Sequence, residues 1–182
     1  TFGMKPASIT IAKALSSGYV PISAVIIPDH IYEPIARASN QQGIFGHGYT
    51  YSGHPVACAV ALKTIEIYEK TKLIDHVETV SKTFQRRLHD MRSNHIIGET
   101  RGVGLIGAIE IYENRELKQL FDPKFGAGIK VMKLCQRHGL LVRAIQDTIA
   151  ICPPLIISNE EVNKLFDILE YSLEVFVKKY FL

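Results

Sequence analysis

The chain has 182 residues, 47% of them hydrophobic and 21% charged, and its 21 basic and 18 acidic side chains leave a net charge of +3. That length can bury a core and hold one domain or two small ones. The balanced charge, with no basic cluster interleaved with aromatics, argues against a nucleic-acid partner. No apolar run reaches the length of a membrane span and the first residues lack a signal-peptide pattern, so a cytoplasmic protein with no membrane role is expected. Cys58, Cys135 and Cys152 are odd in number, widely spaced and set in apolar runs. They read as core thiols in a reducing compartment, not as disulfides or zinc ligands, and no metal-ligand spacing appears elsewhere.

Ile9, Thr10 and Ile11 form a short β-branched run that reads as a buried strand. It delivers Lys13 into a turn of small residues, Ala14, Ser16, Ser17 and Gly18, and no Asp or Glu precedes Asp29. Ser23 to Pro28 reads as a second strand. Asp29 is placed as the N-cap of a short helix through Ala38, with Pro34 as a possible bend. The glycine- and aromatic-rich stretch from Asn40 to Gly53 is expected to be loop, and its glycines let the backbone approach a ligand closely. Pro55 opens a helix running to about Lys70, with Ala57, Ala59 and Ala61 keeping one face small.

Leu73, Val77, Val80, Phe84, Leu88 and Met91 recur at helical spacing, the cleanest amphipathic pattern in the chain. Ile96-Ile97 and Gly104 to Tyr112 read as strands interrupted by Gly98, Gly102 and Gly107. Arg101 is taken as ordering a glycine turn, and Glu110 and Glu113 as solvated strand-end charges. Phe125 to His138 reads as a helix closed by Gly139, followed by a hairpin of Leu140–Arg143 and Thr148–Cys152 around Ala144–Asp147. Ser158-Asn-Glu-Glu161 has the form of a capping box opening a last helix. The alternation of helices and short strands predicts a compact α/β sandwich from about residue 72 onward.

A lysine held among apolar and small groups, with no carboxylate nearby, is desolvated toward its neutral, nucleophilic form. Such an amine condenses with carbonyl compounds, pyridoxal phosphate among them. On local chemistry alone, a surface lysine just past a strand end is the simpler alternative. Arg143, ending the strand L-L-V-R, carries a planar fork suited to a carboxylate. The T-R-G-V-G-L-I-G stretch does not join a strand to a helix, so no dinucleotide site is inferred.

Two strings carry more. P-A-S-I-T-I-A-K-A-L-S-S-G-Y-V-P-I-S-A-V and, from Gly46 to Leu62, G-H-G-Y-T-Y-S-G-H-P-V-A-C-A-V-A-L resemble the class III pyridoxal-phosphate aminotransferases. The wording is closest to the branch that moves amino groups from amines or ω-amino acids to pyruvate. The resemblance implies that Lys13 holds pyridoxal 5'-phosphate as a Schiff base and shuttles the substrate proton. It implies that Thr50, in a loop shaped by Gly48 and Tyr49, bonds the cofactor phosphate of the other subunit of a homodimer. It also implies that Arg143 binds the carboxylate of the keto or amino acid.

The fold implied is α/β, the C-terminal part of a fold type I pyridoxal enzyme. Residues 1–71 would be the remnant of the large cofactor-binding domain with its linking helix, and residues 72–182 the small C-terminal α/β domain. A piece of this kind is expected to be inactive alone. The expected partners are a small-molecule amino donor and a keto acid. A 4-aminobutyrate or acetylornithine aminotransferase, or a related decarboxylase or aminomutase, is the alternative within the family. A non-catalytic dimerisation module is the alternative outside it.

Overall fold

A computed structural model describes residues 2–181, and the chain divides into two compact units, residues 1–71 and 72–182.

In the first unit, β1 (Ile9–Ile11) pairs antiparallel with β2 (Ala24–Ile26), Thr10 facing Val25. Between them the chain turns through one 3-10 turn, Lys13–Ser16. The strands are mostly exposed, contrary to the buried strand expected from the β-branched run, because two strands of three residues have no further sheet to bury them here. Helix α1 spans Asp29–Gln42 with Pro28 at its N-cap. Asp29 is therefore its first helical residue and not the cap, and the helix runs four residues beyond the expected end, through Pro34. Helix α2 covers Pro55–Lys70, with His54 at the N-cap and proline at the first position. Its least exposed positions are Ala57, Val60, Ala61, Thr64 and Tyr68. These recur at helical spacing, whereas Ala57, Ala59 and Ala61 alternate at period two and do not share a face; Ala59 is exposed.

The second unit is a three-helix layer on a four-stranded antiparallel sheet. Helix α3 (Leu73–Asp90), strands β3 (Ile97–Val103) and β4 (Ile106–Ile111), helix α4 (Ala127–Arg137), strands β5 (Arg143–Ile145) and β6 (Thr148–Ile151), and helix α5 (Asn159–Tyr180) follow in order. The sheet order is β3-β4-β6-β5. Alternation along β4 and β6 turns Ile109, Ile111, Ile149 and Ile151 inward. They meet Phe84 and Leu88 of α3, Val131 of α4, and Val162, Phe166, Leu169, Leu173 and Phe176 of α5, all almost wholly excluded from solvent. Phe84 and Phe166 meet edge to face at 5.2 Å. The capping box opening α5 is present as read: Glu161 N–H donates to Ser158 Oγ (3.1 Å) and Ser158 N–H to the Glu161 carboxylate (2.8 Å).

The β3–β4 ladder is irregular at Gly98, where the register shifts between Ile97 and Glu99, but the expected breaks at Gly102 and Gly107 are absent. Gly98 and Gly102 lie inside β3, and Gly107 inside β4, because each has a neighbour where a side chain would go. The Tyr112 ring covers Gly98, and Leu88 of α3 lies over both Gly102 and Gly107. The turn is instead the two residues Gly104-Leu105, Gly104 having a φ of 58°. Arg101 is thus mid-strand, opposite Ala108, with its guanidinium 3.4 Å from Glu99 and 3.7 Å from Glu110. Glu110 is a half-buried strand residue and not a solvated end charge. Of the three cysteines only Cys135 is buried, its thiol pushed up by that burial; Cys58 and Cys152 are exposed and do not serve the core.

Candidate active site

Lys13 leaves β1 with a φ of 50°, in the left-handed region that a side chain bearing a Cβ enters at a cost of roughly 1–2 kcal/mol. Ser17, closing the same turn, also sits at 50°. Two strained residues bracketing three are retained only where surrounding bonds fix them. Ser17 N–H donates to Ala14 O (3.1 Å) and Tyr19 N–H to Ser16 O (3.0 Å). The buried Ser16 donates its hydroxyl to Val20 O (2.6 Å). From α2, the Tyr68 hydroxyl reaches Ala14 O and Ser17 Oγ, each at 2.8 Å. Tyr68 carries no motif signal; only the helical spacing from Ala57, Ala61 and Thr64 marks it as facing this turn.

The Lys13 side chain is exposed, and among the described residues it makes no ion pair. The missing carboxylate agrees with the sequence. The expected desolvation does not come from this chain, since the turn sits on one side of α2 and of its residues only Ser16 is buried.

Gly48, Tyr49 and Thr50 lie in the exposed segment between α1 and α2. A tight turn shapes it: Ser52 N–H donates to Tyr49 O (2.9 Å), and Tyr49 N–H to Ser52 Oγ (2.9 Å). His54 N–H donates to Tyr51 O (3.2 Å) and leads the chain into α2. Among the described residues the Thr50 hydroxyl has no hydrogen-bond partner, so it is not spent on its own turn. Thr50 lies four residues ahead of His54, the N-cap of α2, and a helix N-terminus favours anions.

Tyr68 and Pro55 are about 20 Å apart along that helix at 1.5 Å per residue. The Lys13 turn is bonded near one end of α2, and the Gly48–Thr50 loop adjoins the other.

Arg143 belongs to the second unit. It opens β5 and does not end a strand, pairing with Ala150 at the sheet edge, and it is exposed. The hairpin is shorter than expected, turning at Gln146-Asp147, with Gln146 at a φ of 53°. Asp147 accepts from Gly128 N–H (3.3 Å) at the start of α4, and burial pushes its carboxyl above the usual 3.8.

The first unit thus offers an amine without an ion pair at a strained turn and, in a separate loop, a hydroxyl without a partner among the described residues; the second unit offers an exposed guanidinium on an edge strand. The family model described as aminotransferase class III matches residues 1–173. Gamma aminobutyrate transaminase 1, mitochondrial, of Solanum lycopersicum is 44% identical over 167 residues, covering 92% of this chain and 32% of that protein. Gamma-aminobutyrate transaminase 1, mitochondrial, of Oryza sativa subsp. indica is 42% identical over the same coverage. A solved transaminase with L-Ala superposes with a TM-score of 0.93 at 39% identity, covering 98% of this chain and 42% of its own. A PMP-bound aminotransferase from Vibrio fluvialis gives 0.92 at 30% identity, covering 97% of this chain and 39% of that one. The chain thus spans about a third of the length of the curated relatives it matches. Its two motifs, its α/β architecture and the match along nearly its whole length agree, and the chain belongs to the class III aminotransferases, a pyridoxal-phosphate-dependent family with the type I fold.

Proposed function

We propose that this chain is part of an enzyme that moves an amino group from an amine or ω-amino acid to a keto acid such as pyruvate. The carrying observation is Lys13, held in a left-handed conformation in a cross-linked turn, with no acidic neighbour to occupy its amine. When bound, pyridoxal phosphate supplies an aldehyde and an electron-withdrawing ring. Lys13 Nζ would hold that aldehyde and, once the substrate's own amine has displaced it, would act as the base that takes a proton from the donor carbon and returns it. Gly48 and Tyr49 shape the loop, and the Thr50 hydroxyl donates to the phosphate. Arg143 receives the substrate carboxylate through paired N–H donors.

The separation of the Lys13 turn from the Gly48–Thr50 loop along α2 supports a homodimer in which Thr50 serves the partner's cofactor. We read residues 1–71 as the end of a large cofactor-binding domain with α2 as its linking helix, and residues 72–182 as the small C-terminal domain. Three free cysteines suit a reducing compartment such as the cytoplasm, although several matched relatives carry mitochondrial or chloroplastic names. Those relatives' names also favour a second reading of the donor, 4-aminobutyrate.

Incubation with pyridoxal phosphate, borohydride reduction and peptide mapping should place a stable pyridoxyl label on Lys13. In the full-length enzyme Lys13→Ala should lose the label and at least about a hundredfold in turnover. Retention of both by the variant would sink the assignment. Rates with 4-aminobutyrate and with a simple alkylamine, each against pyruvate, separate the two donors.

A further inference from the structure

We propose that Tyr68 is a positioning residue for Lys13, its hydroxyl tying the lysine's turn to α2. The inference rests on the reading of Lys13 given above. The Tyr68 oxygen lies 2.8 Å from Ala14 O and 2.8 Å from Ser17 Oγ. A phenol has one proton and a carbonyl has none, so the directions follow. Tyr68 donates to Ala14 O, and Ser17 Oγ donates to Tyr68. Ala14 O also accepts from Ser17 N–H at 3.1 Å, which closes a ring of three hydrogen bonds through Ala14, Ser17 and Tyr68.

That ring grips both sides of the turn. Ala14 follows Lys13 directly, and Ser17 is the second residue at a φ of 50°. The other bonds here, Leu15 to Ala12, Ser17 to Ala14, Tyr19 to Ser16 and Ser16 to Val20, are all local to residues 12–20. They set the shape of the turn; the β1–β2 ladder and packing on α2 place it, and Tyr68 adds its side-chain hydrogen bonds from α2. Tyr68, 54 positions away from Ala14, ties that shape to a 16-residue helix. An amine that must meet an aldehyde at bonding distance gains from such a tether, since small misplacements are costly in rate. Phenylalanine at this position keeps the ring and removes only the O–H.

The test compares wild type, Tyr68→Phe, Ser17→Ala and Lys13→Ala of the full chain. Each is exposed to pyridoxal phosphate and borohydride across a pH series, with label on Lys13 counted against Lys63 and Lys70 on α2. Tyr68→Phe is expected to lower the Lys13-to-reference ratio about fivefold, the change one ordinary hydrogen bond is worth. Ser17→Ala is expected to lower it less, because the bond from Tyr68 to Ala14 remains. Hydrogen exchange at the Ser17 and Tyr19 amides should quicken in Tyr68→Phe, while amides of residues 72–182 keep their rates. An unchanged ratio with unchanged exchange overturns the positioning role. So does an equal loss of label at Lys13, Lys63 and Lys70, which would mark general loosening. If wild type shows no preference for Lys13, or Lys13→Ala keeps that peptide's label, the cofactor reading fails and the proposal falls with it. That outcome is distinguishable because it does not involve Tyr68.

Discussion

Gly128, the second residue of α4, is pressed against the Gln146 carbonyl, so that a Cβ there would overlap backbone and not a yielding side chain. In an open helix, Gly→Ala gains up to about 1 kcal/mol. Here the overlap with a hairpin turn dominates, and Gly128→Ala is expected to destabilise the fold by about 1–3 kcal/mol in urea denaturation. Neither Gly128 nor Tyr68 is legible from one sequence, since each owes its role to a partner 18 or more positions away. Lys13 and Thr50 stand out in the sequence because each lies in a short string that resembles a family motif, while the exposure of the Lys13 turn was not legible there. Arg143 was found by residue type, but its place at the start of an edge strand depended on where the Gln146 turn fell.

At the scale of elements, α3 and α5 were readable because each repeats apolar residues over at least four turns. The β3–β4 hairpin was not, because its glycines look like breaks until Tyr112 and Leu88 are seen filling the space above them. The capping box of α5 makes a pH prediction. Hydrogen bonds from Ser158, first its backbone N–H and then its hydroxyl, hold the Glu161 carboxyl below its ordinary 4.5. A carboxyl lowered on folding contributes stability at pH above 4.5, and that contribution is lost as pH falls through the folded value. Glu161→Gln keeps an acceptor but not the charge. Its stability deficit against wild type, measured by denaturant titration, should be present at neutral pH and vanish in acid. A deficit independent of pH would refute this account.

At the scale of the whole molecule, the two units differ in how much they bury. The core from Val80 to Phe176 belongs entirely to residues 72–182. The first unit leaves Ile9, Val25, Ile26, Tyr32 and Phe45 in solvent. Buried apolar area is what resists opening. Hydrogen exchange of the full chain should therefore show amides of α3, β4 and α5 exchanging slowest. Those of β1, β2 and α1 should exchange orders of magnitude faster; equal protection in both units would contradict this. The family was legible from its motifs, while the uneven distribution of burial was not, because a β-branched run such as Ile9–Ile11 reads the same whether or not anything covers it.

The three-residue strand β5 is hydrogen-bonded along one flank only. Detaching it breaks a single ladder and leaves the β3-β4-β6 framework intact. Its neighbours Val142 and Ala144 nevertheless rest against the core, so the backbone of this edge stays seated while the exposed side chain of Arg143 keeps its rotameric freedom.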